Sequence, residues 1–180
     1  MNKKIHIFFI AVFLTLSVLS QSNPFLSMTY DMVIAYEFQG EGLLLIEECL
    51  EKQPNKISKT LELNKNQIEE IETILTSETA YGNSTASCFD PHFSLVYYLE
   101  GKVVGTINIC LDCNYLISSV EIPSTKKKYI KINEDYSYPA KGFSSATRRK
   151  ISQLCKVIGF EKFLEPLESI FIEVKINKSI

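Results

Sequence analysis

The clearest periodicity in the chain runs from His92 to Leu111. Apolar residues alternate along Phe93, Leu95 and Tyr97, and again along Val103, Ile107, Ile109 and Leu111, with Leu99-Glu100-Gly101 between the two runs. Period-two alternation marks half-buried strands, and Gly101 suits the left-handed position of a three-residue hairpin loop. That loop sets Tyr98 opposite Lys102. The second face then carries His92, Ser94, Val96, Tyr98, Val104, Thr106, Asn108 and Cys110. A two-residue loop would set Ile107 opposite Ser94 and mix the faces, because a slip of one residue turns every side chain over. The pattern therefore predicts a central hairpin over about 92–111 whose Phe93–Leu111 face meets the core.

Helical spacing occurs twice. Ile68, Ile71 and Leu75 follow Asn64 and Gln67, an N-cap and its reciprocal partner three residues on, which predicts a helix over about 65–76. Ile151, Leu154, Cys155 and Ile158 form a second stripe that starts near Ser144 or Ser145 and ends at Gly159, a fitting residue just past a helix end. This predicts a helix over about 145–158. Further strands are expected at Tyr30–Phe38, Lys59–Leu63, Tyr115–Ile122 and Tyr129–Ile132, and at the alternating Ile170, Ile172, Val174 and Ile176. The run Leu43–Leu50 fits a helix or a strand equally, and residues 77–87 read as a polar surface loop. The sum is an α+β fold: a small, mostly antiparallel sheet with a central hairpin and two helices.

The first residues follow a different pattern. Lys3 and Lys4 precede an apolar run from Ile5 to Leu19, with small residues at Val18 and Ser20. These are the three parts of a secretory signal peptide. A membrane anchor would want about twenty apolar residues, more than this run offers. The chain is therefore expected to consist of a signal peptide, 1–20, and one α+β domain, 21–180, exported to the periplasm or secreted. Loss of Lys3 and Lys4 takes the 19 basic residues to 17 against 21 acidic ones, a net charge of −4. A weakly acidic surface disfavors nucleic acid and anionic membranes as partners, and Lys126-Lys127-Lys128 and Arg148-Arg149-Lys150 read as solvated faces. The expected partner is another protein, with Tyr98, Tyr136 and Tyr138 as candidate contact residues.

Export changes the reading of the cysteines. Cys49, Cys88, Cys110, Cys113 and Cys155 all follow the signal, in a setting where disulfides persist, and five is an odd number. Cys49 and Cys155 read as buried small hydrophobes, or as partners in one disulfide. The other three gather with His92, the one histidine after the signal, in the pattern Cys88-x3-His92 and Cys110-x2-Cys113. The hairpin brings all four to its open end, with His92 across from Asn108 and diagonal to Cys110. Three chemistries fit. Cys88, His92, Cys110 and Cys113 make a closed tetrahedral set for structural zinc, with Asp112 supporting it. Cys88 could instead form a disulfide with Cys110 or Cys113. Or Cys110 and Cys113 could be a redox or nucleophilic pair activated by His92. Against the last, a reactive C-x2-C normally opens a helix, whereas Cys110 closes a strand beside Asp112.

The segments Ser87-Cys88-Phe89-Asp90-Pro91-His92, Leu95-Val96-Tyr97-Tyr98, Gly101-Lys102-Val103-Val104 and Ile109-Cys110-Leu111-Asp112-Cys113 resemble a group of exported proteins of Bacteroidetes-type bacteria. These share a C-[FY]-x-P-x-[HF] opening, a hairpin and a C-x-x-C close. The resemblance covers about residues 64–113, with a weaker echo at Phe143–Gly159. Phe93 stands where a second histidine sometimes occurs. The resemblance implies export and a shared motif, and it brings no activity with it.

No phosphate-binding loop, dinucleotide fingerprint or nucleophile elbow is present. No catalytic residue is assigned. The sequence points to a non-catalytic exported binding or interaction protein stapled by its Cys/His cluster. The alternative is a thiol- or metal-dependent envelope enzyme that uses the C-x2-C pair.

Overall fold

The computed structural model describes residues 23–126 and 128–160, so the signal peptide expected at 1–20 and the strand expected at 170–176 both lie outside the described residues. In order, the elements are α1 (Pro24–Ser27), β1 (Met32–Phe38), α2 (Ile46–Lys52), β2 (Ile57–Glu62), α3 (Lys65–Thr76), β3 (Tyr81–Asn83), β4 (Phe93–Leu99), β5 (Lys102–Cys110), β6 (Tyr115–Ser118), β7 (Tyr129–Lys131), β8 (Ser137–Pro139), β9 (Gly142–Phe143) and α4 (Ser145–Val157). Five strands form one antiparallel sheet in the order β2-β1-β4-β5-β6. Pairs β3-β9 and β7-β8 form two small ribbons. The α+β architecture and the central hairpin are as expected. No helix among the described residues is long and apolar enough to cross a membrane.

The tip of the hairpin differs from its expected form. Leu99 pairs with Lys102, leaving the two-residue turn Glu100-Gly101 with φ of 51° and 73°. Positive φ at both central residues is the turn whose twist suits a hairpin. The register then shifts between Tyr97 and Tyr98, so that Tyr97 opposes Gly105 and Phe93 opposes Ile109. The extra residue in β5 is a bulge. It restores the parity that a two-residue turn alone would break, so Phe93, Leu95, Tyr97, Ile107 and Ile109 still share the core face. Val103 does not join them: it is 50% exposed, and Val104 is 41% exposed.

Both faces of the sheet are covered. On one, α3 and α4 pack Ile71, Leu75, Ile151 and Leu154 against Val33, Leu95, Tyr97 and Ile107. The Asn64–Gln67 capping box is formed in both directions, and Ser144 caps α4 by accepting from the Thr147 N–H. On the other face, the ambiguous run Leu43–Leu50 becomes α2, and its Ile46 and Cys49 pack on Tyr36, Phe38 and Val96. Polar groups fix this second contact. Asn108 Oδ1 accepts from the Ile46 N–H at 2.9 Å and from Ser94 Oγ at 2.7 Å, and Thr106 Oγ1 donates to Glu47. Buried polar atoms need such partners, so the polar side of the hairpin is a second interface and not a solvent face.

Three local expectations are corrected. Residues 77–87 are not wholly a surface loop: β3 lies inside them, with Tyr81 fully buried and its hydroxyl bonded to Leu75 O. Arg148 is buried, because it lies on the inward side of α4. Strand β6 ends at Ser118, whose hydroxyl accepts from the Val120 N–H and turns the chain early.

Candidate functional site

The open end of the hairpin is clamped by backbone contacts before any sulfur is considered. Gly40 N donates to Pro91 O at 3.0 Å, and Leu43 N to Phe89 O at 3.2 Å. Gly42 N donates to Asp90 Oδ1 at 2.8 Å, and Ala86 N to Cys113 O at 2.9 Å. Gly40 permits this closeness, since a Cβ there would lie 2.3 Å from Pro91 O and 2.7 Å from Leu44 O. Tyr115 OH adds a bond to Cys88 O, and its ring packs on Phe89. The Ala86–Pro91 segment is thereby pinned both to the loop after β1 and to the turn after β5.

This clamp delivers Cys88 to Cys113, with sulfurs 2.9 Å apart. Unbonded heavy atoms normally rest about 3.5–4.0 Å apart, so the pair is pressed together. Cys88 is exposed, whereas Cys113 and Cys110 are buried. The turn between β5 and β6 folds so that Cys113 N donates to Cys110 Sγ at 3.0 Å, and Asp90 N points at Cys113 Sγ at 3.4 Å. The three sulfurs thus form a chain from surface to core, Cys88, Cys113, Cys110.

Cys88, Asp90 and Cys113 bring their ligand atoms within 4.8 Å of one another, and this group could hold a metal ion. His92 and Cys110, expected as zinc ligands, are not members of it. His92 turns toward β1: its main chain accepts from Phe38 N, and its Nδ1 lies 3.2 Å from Phe38 O. A carbonyl only accepts, so this contact puts the proton on Nδ1. His92 also lines a small cleft with Glu37, Asp112, Cys155 and Phe160. The hairpin register explains part of the change, because Ser94, and not His92, stands opposite Asn108. Asp90 is a member of this group that the sequence does not single out. Its signal in the sequence was position alone, two residues after Cys88.

Every thiol in the cluster is held protonated at neutral pH. The contact with Cys113, followed by burial, pushes the Cys88 thiol up to about 11. Burial and the contact with Cys110 push Cys113 up to about 11, and burial also raises Cys110. A protonated thiol is a poor nucleophile. Cys49 and Cys155 are buried as small hydrophobes, but in separate clusters on opposite faces of the sheet. A disulfide between them is therefore ruled out by the sheet that separates them.

Comparison with known proteins finds no matching family model, no matching curated protein and no matching solved structure.

Proposed function

We propose that the chain is an exported, non-catalytic interaction protein whose hairpin is stapled at its open end by a Cys88–Cys113 disulfide. The observation that carries this reading is the 2.9 Å approach of the two sulfurs, across an end of the sheet already held by the Gly40, Leu43 and Ala86 bonds. A disulfide needs about 2.05 Å, a short closure for side chains already facing each other. In an oxidizing compartment such a bond persists, and closing a loop of this length contributes about 3–4 kcal/mol by restricting the unfolded chain. The raised thiols speak against the enzyme alternative, since a C-x2-C catalyst needs a sulfur that ionizes readily.

Zinc remains as a second reading because of one observation. Asp90 brings both a carboxylate and an N–H to the Cys88–Cys113 pair. Two thiolates about 2.3 Å from tetrahedral zinc stand about 3.8 Å apart, so a metal would have to spread the sulfurs. The expected partner is a protein, since the weakly acidic surface gives no reason to expect nucleic acid.

Intact mass, thiol count and metal content on one sample of exported protein decide between the readings. The disulfide reading expects a mass lower by two hydrogens, no bound metal and no unfolding by chelator. One zinc per chain with chelator-induced unfolding supports the second reading. Free, rapidly alkylated Cys88 and Cys113 overturn both.

A further inference from the structure

The third sulfur of the chain has no role in a Cys88–Cys113 staple, yet the fold holds it against Cys113. Cys110 Sγ accepts the Cys113 N–H at 3.0 Å. The residues are three apart across a turn, a separation at which Cα atoms come within the reach of a disulfide. Cys113 therefore has two candidate partners, one on the surface side and one on the core side.

We propose that Cys113 is shared between two alternative disulfides, Cys88–Cys113 and Cys110–Cys113, and that the second form presents Cys88 as a surface thiol able to take a mixed disulfide from an external disulfide-bearing molecule. The inference rests on the oxidized staple proposed above. The exchange is internal and needs no oxidant. Cys110 gives up its proton, a step that its burial makes slow and that suits a slow exchange rather than a catalytic cycle, and its thiolate attacks Cys113 Sγ. The Cys88–Cys113 bond breaks as the Cys110–Cys113 bond forms, and Cys88 leaves as a thiolate that takes up the proton. In the external step, the Cys88 thiolate attacks one sulfur of a disulfide RS–SR. A Cys88–SR bond forms and RS⁻ leaves.

Three features make the shift compatible with the fold. The clamp through Gly40, Leu43 and Ala86 holds the Cys88 segment by backbone bonds, so Cys88 keeps its place when its own disulfide is lost. Cys88 is exposed and reachable, while Cys110 and Cys113 are shielded from outside reagents. Cys110 Sγ already lies beside Cys113, where it accepts the Cys113 N–H at 3.0 Å.

The test is differential alkylation of the full exported protein, purified without reductant. Free thiols are blocked first, disulfides are then reduced and tagged, and each cysteine is read by mass spectrometry. Wild type is expected to show both linkages, with Cys88 and Cys110 each partly free and Cys113 always bonded. The probe 4,4′-dithiodipyridine should then label Cys88 once per chain. With Cys110→Ser, or Cys110→Ala if the serine variant misfolds, labeling of Cys88 should slow at least about tenfold. Cys88→Ser should form the Cys110–Cys113 bond. Wild type with only the Cys88–Cys113 bond, or Cys88→Ser with two free thiols, overturns the exchange and leaves the staple standing. No disulfide among the three cysteines overturns the staple and the exchange together.

Discussion

The two ends of the β4–β5 hairpin are built by different means. At the tip, Glu100-Gly101 makes a two-residue turn, Val103 and Val104 face solvent, and a Cβ added at Gly101 would meet nothing within 4 Å. At the open end, segments far apart in sequence are locked by backbone bonds from Gly40, Leu43 and Ala86, and a Cβ at Gly40 would strike two carbonyl oxygens. The tip is therefore specified mainly by local turn chemistry, with one bond from the Glu100 N–H to Asp31 Oδ2 at 2.8 Å. The cysteine end is specified by tertiary contacts, and its sulfurs complete a clamp that already exists. The reduced protein should keep its fold.

The contrast can be broken at several points. Cys113→Ala in the oxidized protein should have the largest effect, a loss of about 3–4 kcal/mol in denaturant unfolding. The loss should nearly vanish when both proteins are reduced. An equal loss in reductant would make Cys113 a packing residue and no more. Gly40→Ala should cost about 1–3 kcal/mol, because neither Pro91 O nor Leu44 O can yield without moving backbone, and it should slow formation of the Cys88–Cys113 bond.

A smaller effect is expected from pH in the reduced protein. The Cys88 and Cys113 thiols are both raised to about 11, above the unfolded value of about 8.5. Folding then favors the protonated form, so the contribution is whole below about pH 8.5 and fades as pH rises through about 11. The exposure of Cys88 keeps its share small. Unfolding midpoints from pH 7 to 11 should fall in reduced protein more than in oxidized protein, and parallel curves would refute the assignment. Gly101→Ala should be the mildest change, about 1 kcal/mol for a left-handed alanine in open space, with no change in disulfide formation.

The sequence carried the periodic parts of this fold well. The Asn64 capping box, the stripe Ile151-Leu154-Cys155-Ile158 and the Phe93–Ile109 core face all follow from local spacing, and each is seen. The bulge in β5 was not legible, because the same two faces arise from a three-residue loop or from a two-residue loop with a bulge. Asn108 was placed on the correct side of the hairpin, but nothing local shows that α2 docks there. At the site, the meeting of Cys88 with Cys113 was legible from hairpin geometry. His92 was misplaced because its bond to Phe38 O depends on β1 lying beside β4, a tertiary fact. Asp90 joins the site through a loop conformation fixed by Gly42.

The proposed Cys88–Cys113 bond joins the two strand ends across the open end of the sheet. Differential alkylation of exported protein, blocked in acid before unfolding, tests it most directly. With the bond in place, Cys113 should be protected in every molecule and released only by reductant, with chelator having no effect. Cys113 alkylated without reductant, or released by chelator alone, would contradict it.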